Sequence, residues 1–86
     1  MNKQRLTDII YESYLNHRFG STEVKKREIL GEIYAATVFY DLSWSDIEII
    51  SSNIVSKCME VKDIFDRDKM KEAIISVLDT INIQWN

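Results

Sequence analysis

The side chains best suited to chemistry are few. His17 is the only histidine and Cys58 the only cysteine among 86 residues. A catalytic or metal-binding histidine needs partners at a fixed spacing, as in H-x-x-x-H or H-E-x-x-H, and one histidine supplies neither. His17 instead suits the C-terminal turn of a helix, where the dipole favours a cation. A lone cysteine excludes an intramolecular disulfide and a cysteine-built zinc site, and Cys58 reads as a small core residue on a helix. With only Gly20 and Gly31 there is no glycine loop to cradle a phosphate, and no G-x-S-x-G nucleophile elbow occurs. The carboxylate pairs Asp46/Glu48, Glu60/Asp63 and Asp66/Asp68 read as solvated helix charges, because a chain this short rarely builds the cleft that paired-acid hydrolysis needs. The expectation is a protein that is not an enzyme and holds no metal or cofactor.

The one basic feature is Lys25-Lys26-Arg27, with Lys3, Arg5 and Arg18 as candidate neighbours. Such a cluster could contact phosphate or an acidic protein face. Three bases release few counterions, however, and the chain is acidic, with a net charge of −3. The imbalance is local: residues 1–28 carry six Lys/Arg against four Asp/Glu, and residues 29–64 carry two against six. The stretch FYDLSWSDIEIISSN also has the outline of a helix-turn-helix. Asp41, Asp46 and Glu48 would oppose phosphates where such a recognition helix docks. Nucleic acid is therefore the less favoured partner.

The elements that carry these residues follow from apolar spacing. Leu6, Ile9, Ile10 and Tyr14 mark one face of a helix over about 3–18, widened by Tyr11 and Leu15. Gly20 suits a left-handed cap behind it, and Ser21 or Thr22 the next N-cap. A second helix covers about 22–40, with Ile29, Ile33, Ala36 and Tyr40 in one row and Leu30, Tyr34, Thr37 and Val38 beside it. A third, about 45–61, opens on Ser45 with Glu48 or on Ser43 with Asp46 as a capping box. Its stripe is Ile47, Ile50, Ile54, Cys58 and Val61, with Ile49 and Val55 off it. A fourth, about 67–83, is capped by Asp66 or Asp68 and shows Met70, Ala73, Ile74, Val77, Leu78, Ile81 and Trp85. The fold class is all-α, a small bundle of three to four helices in one domain over 1–86. Residues 1–20 are a candidate mobile or swapped helix. The absence of proline and of long apolar runs favours helices and argues against a membrane span. The N-terminus lacks the apolar run of a signal peptide, so a cytoplasmic location is expected.

The second helix is apolar all round from Ile33 to Tyr40, which normally means enclosure by neighbours. One small layer of helices cannot cover Tyr34, Val38, Phe39, Tyr40 and Trp44 together, so part of this set is expected on the surface as an interaction site. Gly31 lies mid-helix, where glycine weakens the helix but lets another backbone approach. A chain with a marginal core gains from a second copy, and C₂ pairs are the commonest assembly. Gly31, Tyr34, Val38, Phe39 and Trp44 are thus the expected dimer or partner interface, with Lys25, Lys26 and Arg27 as the alternative anion or nucleic-acid contact.

The segment REILGEIYAATVFYDLSWSDIEIISSNIVSKCMEV, followed by DRDKMKEAIISVLDTI, resembles the YmgB/AriR family of small bacterial regulators. In that family a glutamate-x-x-leucine-glycine motif starts the central helix. Here Glu28-Ile29-Leu30-Gly31 supplies the leucine-glycine pair, with the glutamate two residues before it, and Glu32-Ile33 continues the pattern. A cap serine, two apolar helices and a charged link follow in the same order, so the likeness spans about residues 26–81. The aromatic run VFYDLSW departs from the family. The resemblance implies an all-α homodimer without cofactor that contacts a response regulator or related signalling protein, as a two-component connector in biofilm and stress responses. A DNA-binding regulator using the basic run, and an acidic inhibitor or immunity protein of a phage or toxin system, are the alternatives.

Overall fold

The computed structural model describes residues 2–37 and 42–81. Four helices form it: α1 Lys3–Asn16, α2 Thr22–Thr37, α3 Trp44–Met59 and α4 Arg67–Leu78, with no strand among the described residues. Their starts are set by side-chain caps that take up free backbone N–H groups. Asn2 Oδ1 accepts from the Arg5 amide at 2.7 Å, and Ser21 Oγ from that of Val24 at 3.2 Å. Asp66 Oδ1 accepts from the Lys69 amide at 3.3 Å, so Asp66 rather than Asp68 caps α4. The capping box of α3 uses Ser43 with Asp46, not Ser45 with Glu48. The Asp46 amide donates to Ser43 Oγ at 3.1 Å, and the Ser43 amide donates back to Asp46 Oδ2 at 3.3 Å. Trp44 is therefore the first helical residue.

α1 ends at Asn16, and α3 and α4 stop earlier than their apolar periodicity suggests, because Val61 and Ile81 pack on the core from the segments after them and not from helical turns. Gly20 also departs from expectation. No described residue has positive φ, so Gly20 is not a left-handed cap. It sits close to its neighbours: a Cβ there would meet Val24 Cγ1 at 3.1 Å and the His17 carbonyl at 3.3 Å, tight contacts that only a small shift would relieve.

Each helix packs on its neighbours in sequence, and α1 closes the ring on α4. Leu6, Ile10, Ile29, Ile33, Ile54, Val55, Cys58, Met70, Ile74 and Leu78 form the sealed centre. Val55, expected off the stripe, is buried because both α2 and α4 flank α3 and widen its buried face. Ile49 is exposed, as its position off the stripe implies. Buried hydroxyls are satisfied locally: Thr7, Thr37 and Ser51 donate to the carbonyls of Lys3, Ile33 and Ile47 at 2.8, 2.6 and 2.8 Å. The N-terminal helix, a candidate for mobility or swapping, lies docked on α2 and α4 of its own chain. The Tyr11 hydroxyl donates to the Ile64 carbonyl at 3.0 Å, and Lys3–Asp79 and Lys71–Asp8 pairs join α1 to α4. Asp8 Oδ1 is buried, with the Lys71 ammonium at 2.6 Å in an ionic contact whose angle is poor for a hydrogen bond.

Candidate functional site

The antiparallel run of α2 beside α3 builds a surface groove of about 400 Å³. Thr22, at the start of α2, approaches Met59 at the end of α3, and Tyr34, near the end of α2, meets Trp44 at the start of α3. Leu30 and Trp44 give the groove an apolar part, and Ser51 and Ser52 line its α3 side. Tyr34 and Trp44 stack edge to face, 5.8 Å between ring centroids and 69° between planes. Such a pair contributes about 0.5–1.5 kcal/mol beyond area burial. It leaves much of both rings in water, since Tyr34 is 48% and Trp44 54% exposed. Gly31 lies one turn before Tyr34 on α2 with nothing within 4 Å of where its Cβ would be. Among the described residues no other helix approaches it, which leaves the backbone there open. The expected interface residues Gly31, Tyr34 and Trp44 are thus all exposed. Val38 and Phe39 lie outside the described residues, as does Tyr40.

The basic run does not act as one patch. Lys25 turns back, with Nζ donating to the Gly20 carbonyl at 2.8 Å and lying 5.8 Å from the centre of the Tyr14 ring. Lys26 pairs with Glu23 at 3.7 Å. Lys26 and Arg27 do line the groove, but Glu23 and Glu48 line it too, so its charge is balanced. The three supposed neighbours scatter: Lys3 pairs with Asp79 on α4, Arg5 faces the α1–α2 recess, and Arg18 sits in the α1–α2 turn. A helix turns about 100° per residue, so three consecutive bases cannot share one face.

The chain matches no family model, no curated protein and no solved structure. A functional reading therefore rests on its side chains. A second recess, of about 380 Å³ between α1 and α2, is lined by Asp8, Glu12, Glu28 and Glu32 together with Arg5 and His17. His17 caps α1 with its ring Nδ1 2.9 Å from the Ser13 carbonyl and Nε2 3.8 Å from Glu28. Among the described residues no three of His, Cys, Asp and Glu are placed to hold a metal ion, and no helix is long and apolar enough to cross a membrane. Cys58 is sealed in the core, and burial pushes its thiol up to about 12. A thiol held in that form is a poor nucleophile. Burial likewise raises the Tyr14 phenol, with a smaller contribution from Cys58.

Sequence reasoning passed over Phe19 and Phe65. Each sits alone in a turn, at FGST and KDIFDRDK, where composition signals a connection and no periodicity draws attention to a single aromatic. Both are exposed, and both lie beside Arg18.

Proposed function

We propose that this chain is a non-enzymatic regulatory adaptor that works by protein–protein contact through its α2–α3 face. It self-associates there and modulates a bacterial signalling, stress or biofilm response as a cytoplasmic connector, with a response regulator as the partner class. The observation that carries this reading is the half-exposed Tyr34–Trp44 pair beside the open backbone of Gly31. Half-exposed aromatic residues such as Trp44, which lines the groove, and Tyr34, which packs against it, are what interface anchors are made of, and a bare glycine lets a second helix come close. The mechanism is selective binding: a partner state that presents a complementary helix is favoured over one that does not. The resemblance of residues 26–81 to the YmgB/AriR family supports the same class of role.

The test is solution mass by light scattering over a concentration series, for the wild type and for Trp44→Ser and Tyr34→Ser. Both side chains are exposed, so the variants fold, which circular dichroism checks. The expected result is a wild-type dimer and folded monomeric variants, with weakened binding to a receiver domain from the host. A wild type that stays at the chain mass throughout refutes self-association through this face.

The DNA-binding alternative loses support because Lys25 turns away from Lys26 and Arg27 and because carboxylates lie beside those two. The acidic-inhibitor alternative keeps one observation in its favour: the carboxylates of the α1–α2 recess could face a basic surface.

A further inference from the structure

Outside the groove, two connections at one end of the bundle carry a second cluster. Phe19, in the α1–α2 turn, is 90% exposed, and Phe65, in the α3–α4 connection, 65% exposed. Neither ring serves the core. Both meet on one guanidinium: Arg18 Cζ lies 4.6 Å from the centroid of Phe19 and 5.7 Å from that of Phe65. Arg18 Nη1 donates to the Leu15 carbonyl at 2.6 Å, which fixes the fork. Among the described residues no carboxylate pairs with it. Nearby, Arg67 lies over the Tyr11 ring at 5.8 Å.

A guanidinium beside aromatic rings is less hydrated than one in open water, so an incoming anion displaces less solvent and forms a stronger charge-assisted bond. Exposed aromatics from two separate segments that share one arginine make the composition of an interface anchor. The surrounding charge selects the kind of anion. Charges of both signs surround Phe65: Lys62, Asp63 and Asp66 in the connection, then Arg67, Asp68 and Lys69 at the start of α4. Asp63 and Asp66 accept the Phe65 and Lys69 amides at 3.0 and 3.3 Å, which holds their carboxylates in place there. With as many carboxylates as bases around Phe65, this end offers a polyanion, whether nucleic acid or an anionic bilayer, no run of positive charge to follow. A short segment can set one carboxylate on the guanidinium and its apolar side chains on the two phenyl rings.

We infer that Arg18, Phe19 and Phe65 form a docking point for a short acidic-hydrophobic segment of another protein, one of its carboxylates on the Arg18 guanidinium and its apolar side chains on the two rings. This site is separate from the α2–α3 face and does not rest on the adaptor reading. The probe is the blocked peptide FDLFD, with FNLFN as its uncharged counterpart, titrated into the full chain by NMR. The Arg18 Nε–H and the ring protons of Phe19 and Phe65 are followed. FDLFD is expected to shift them saturably. FNLFN, or FDLFD against Arg18→Gln, is expected to bind about tenfold more weakly or worse, as loss of one charge-assisted bond implies. Phe19→Ala, at a position too exposed to affect folding, weakens FDLFD as well, whereas Trp44→Ser leaves it unchanged. The inference is overturned if FDLFD fails to bind, or binds wild type and Arg18→Gln equally. It is also overturned if an oligothymidylate or a phosphatidylserine vesicle moves the same signals more strongly with steep salt dependence, which marks a polyanion site.

Discussion

Replacing Gly31 by alanine is expected to stabilise the isolated chain and to weaken assembly on its α2–α3 face. The two effects have different origins. Inside one chain a Cβ at residue 31 meets no atom within 4 Å, so the methyl adds no clash. The helix gains the difference between glycine and alanine in a helix interior, about 0.5–1 kcal/mol, largely through a less free unfolded chain. For a domain of this size that raises Tm by about 2–8 °C. Between two chains the sign reverses. If a second helix packs on the bare backbone, the methyl overfills the contact, and overpacking costs about 1–3 kcal/mol. That corresponds to an association constant roughly five to 160 times lower. Thermal unfolding by circular dichroism at the lowest workable concentration reads the first effect, and light scattering over a concentration series reads the second. A lower Tm at high dilution refutes the open-space reading of Gly31. A higher Tm with unchanged self-association refutes its role as a point of close approach.

Other outcomes follow from the core and its fastenings. Leu6→Ala and Ile10→Ala, both at sealed positions of α1, are each expected to cost about 2–5 kcal/mol in denaturant unfolding; losses under 1 kcal/mol would mean that α1 is not an integral part of the fold. Tyr11→Phe removes the hydroxyl that donates to Ile64 and is expected to cost about 1 kcal/mol, with faster hydrogen exchange in the α3–α4 connection. Ser43→Ala removes half of the capping box and is expected to cost about 1 kcal/mol, whereas Ser45→Ala stays near zero; equal losses would contradict the assignment of the cap. The Cys58 thiol, moved from 9.0 to about 12 by burial, stays protonated where the unfolded chain's thiol ionises. The unfolded state then binds fewer protons, so this contribution is whole below pH 9 and is lost as pH rises from there towards 12. Cys58→Ala is expected to flatten that alkaline limb relative to wild type, and an unchanged limb would place the thiol in contact with water.

By itself the sequence determined the class and the elements. Period 3.6 in Leu6/Ile10/Tyr14, Ile47/Ile50/Ile54/Cys58 and Met70/Ile74/Val77 encodes which helix faces are buried, because a helix hides an apolar stripe wherever it packs. Ser21 or Thr22 and Asp66 or Asp68 marked helix starts to within two residues, because a cap is a local bond that needs no tertiary partner, and the folded chain uses Ser21 and Asp66. Ser43 and Ser45 could not be separated that way, since both have an acid three residues on, and only the path of the chain into Trp44 chose between them. Composition likewise pointed to an exposed aromatic set, and Tyr34 and Trp44 belong to it. Tertiary structure decided the rest. Val55 became core because two helices flank α3, which no single-helix pattern can state. Gly20 proved to sit close to Val24 rather than in a left-handed turn. Lys25 turned away to the Gly20 carbonyl, and Lys26 and Arg27 met Glu48 of another helix in one groove. Phe19 and Phe65, 46 positions apart in the chain, came to share one guanidinium. Contacts between distant segments depend on how helices are placed against each other, and that placement is set by the whole core at once, whereas a helix face or a cap is set within a few residues.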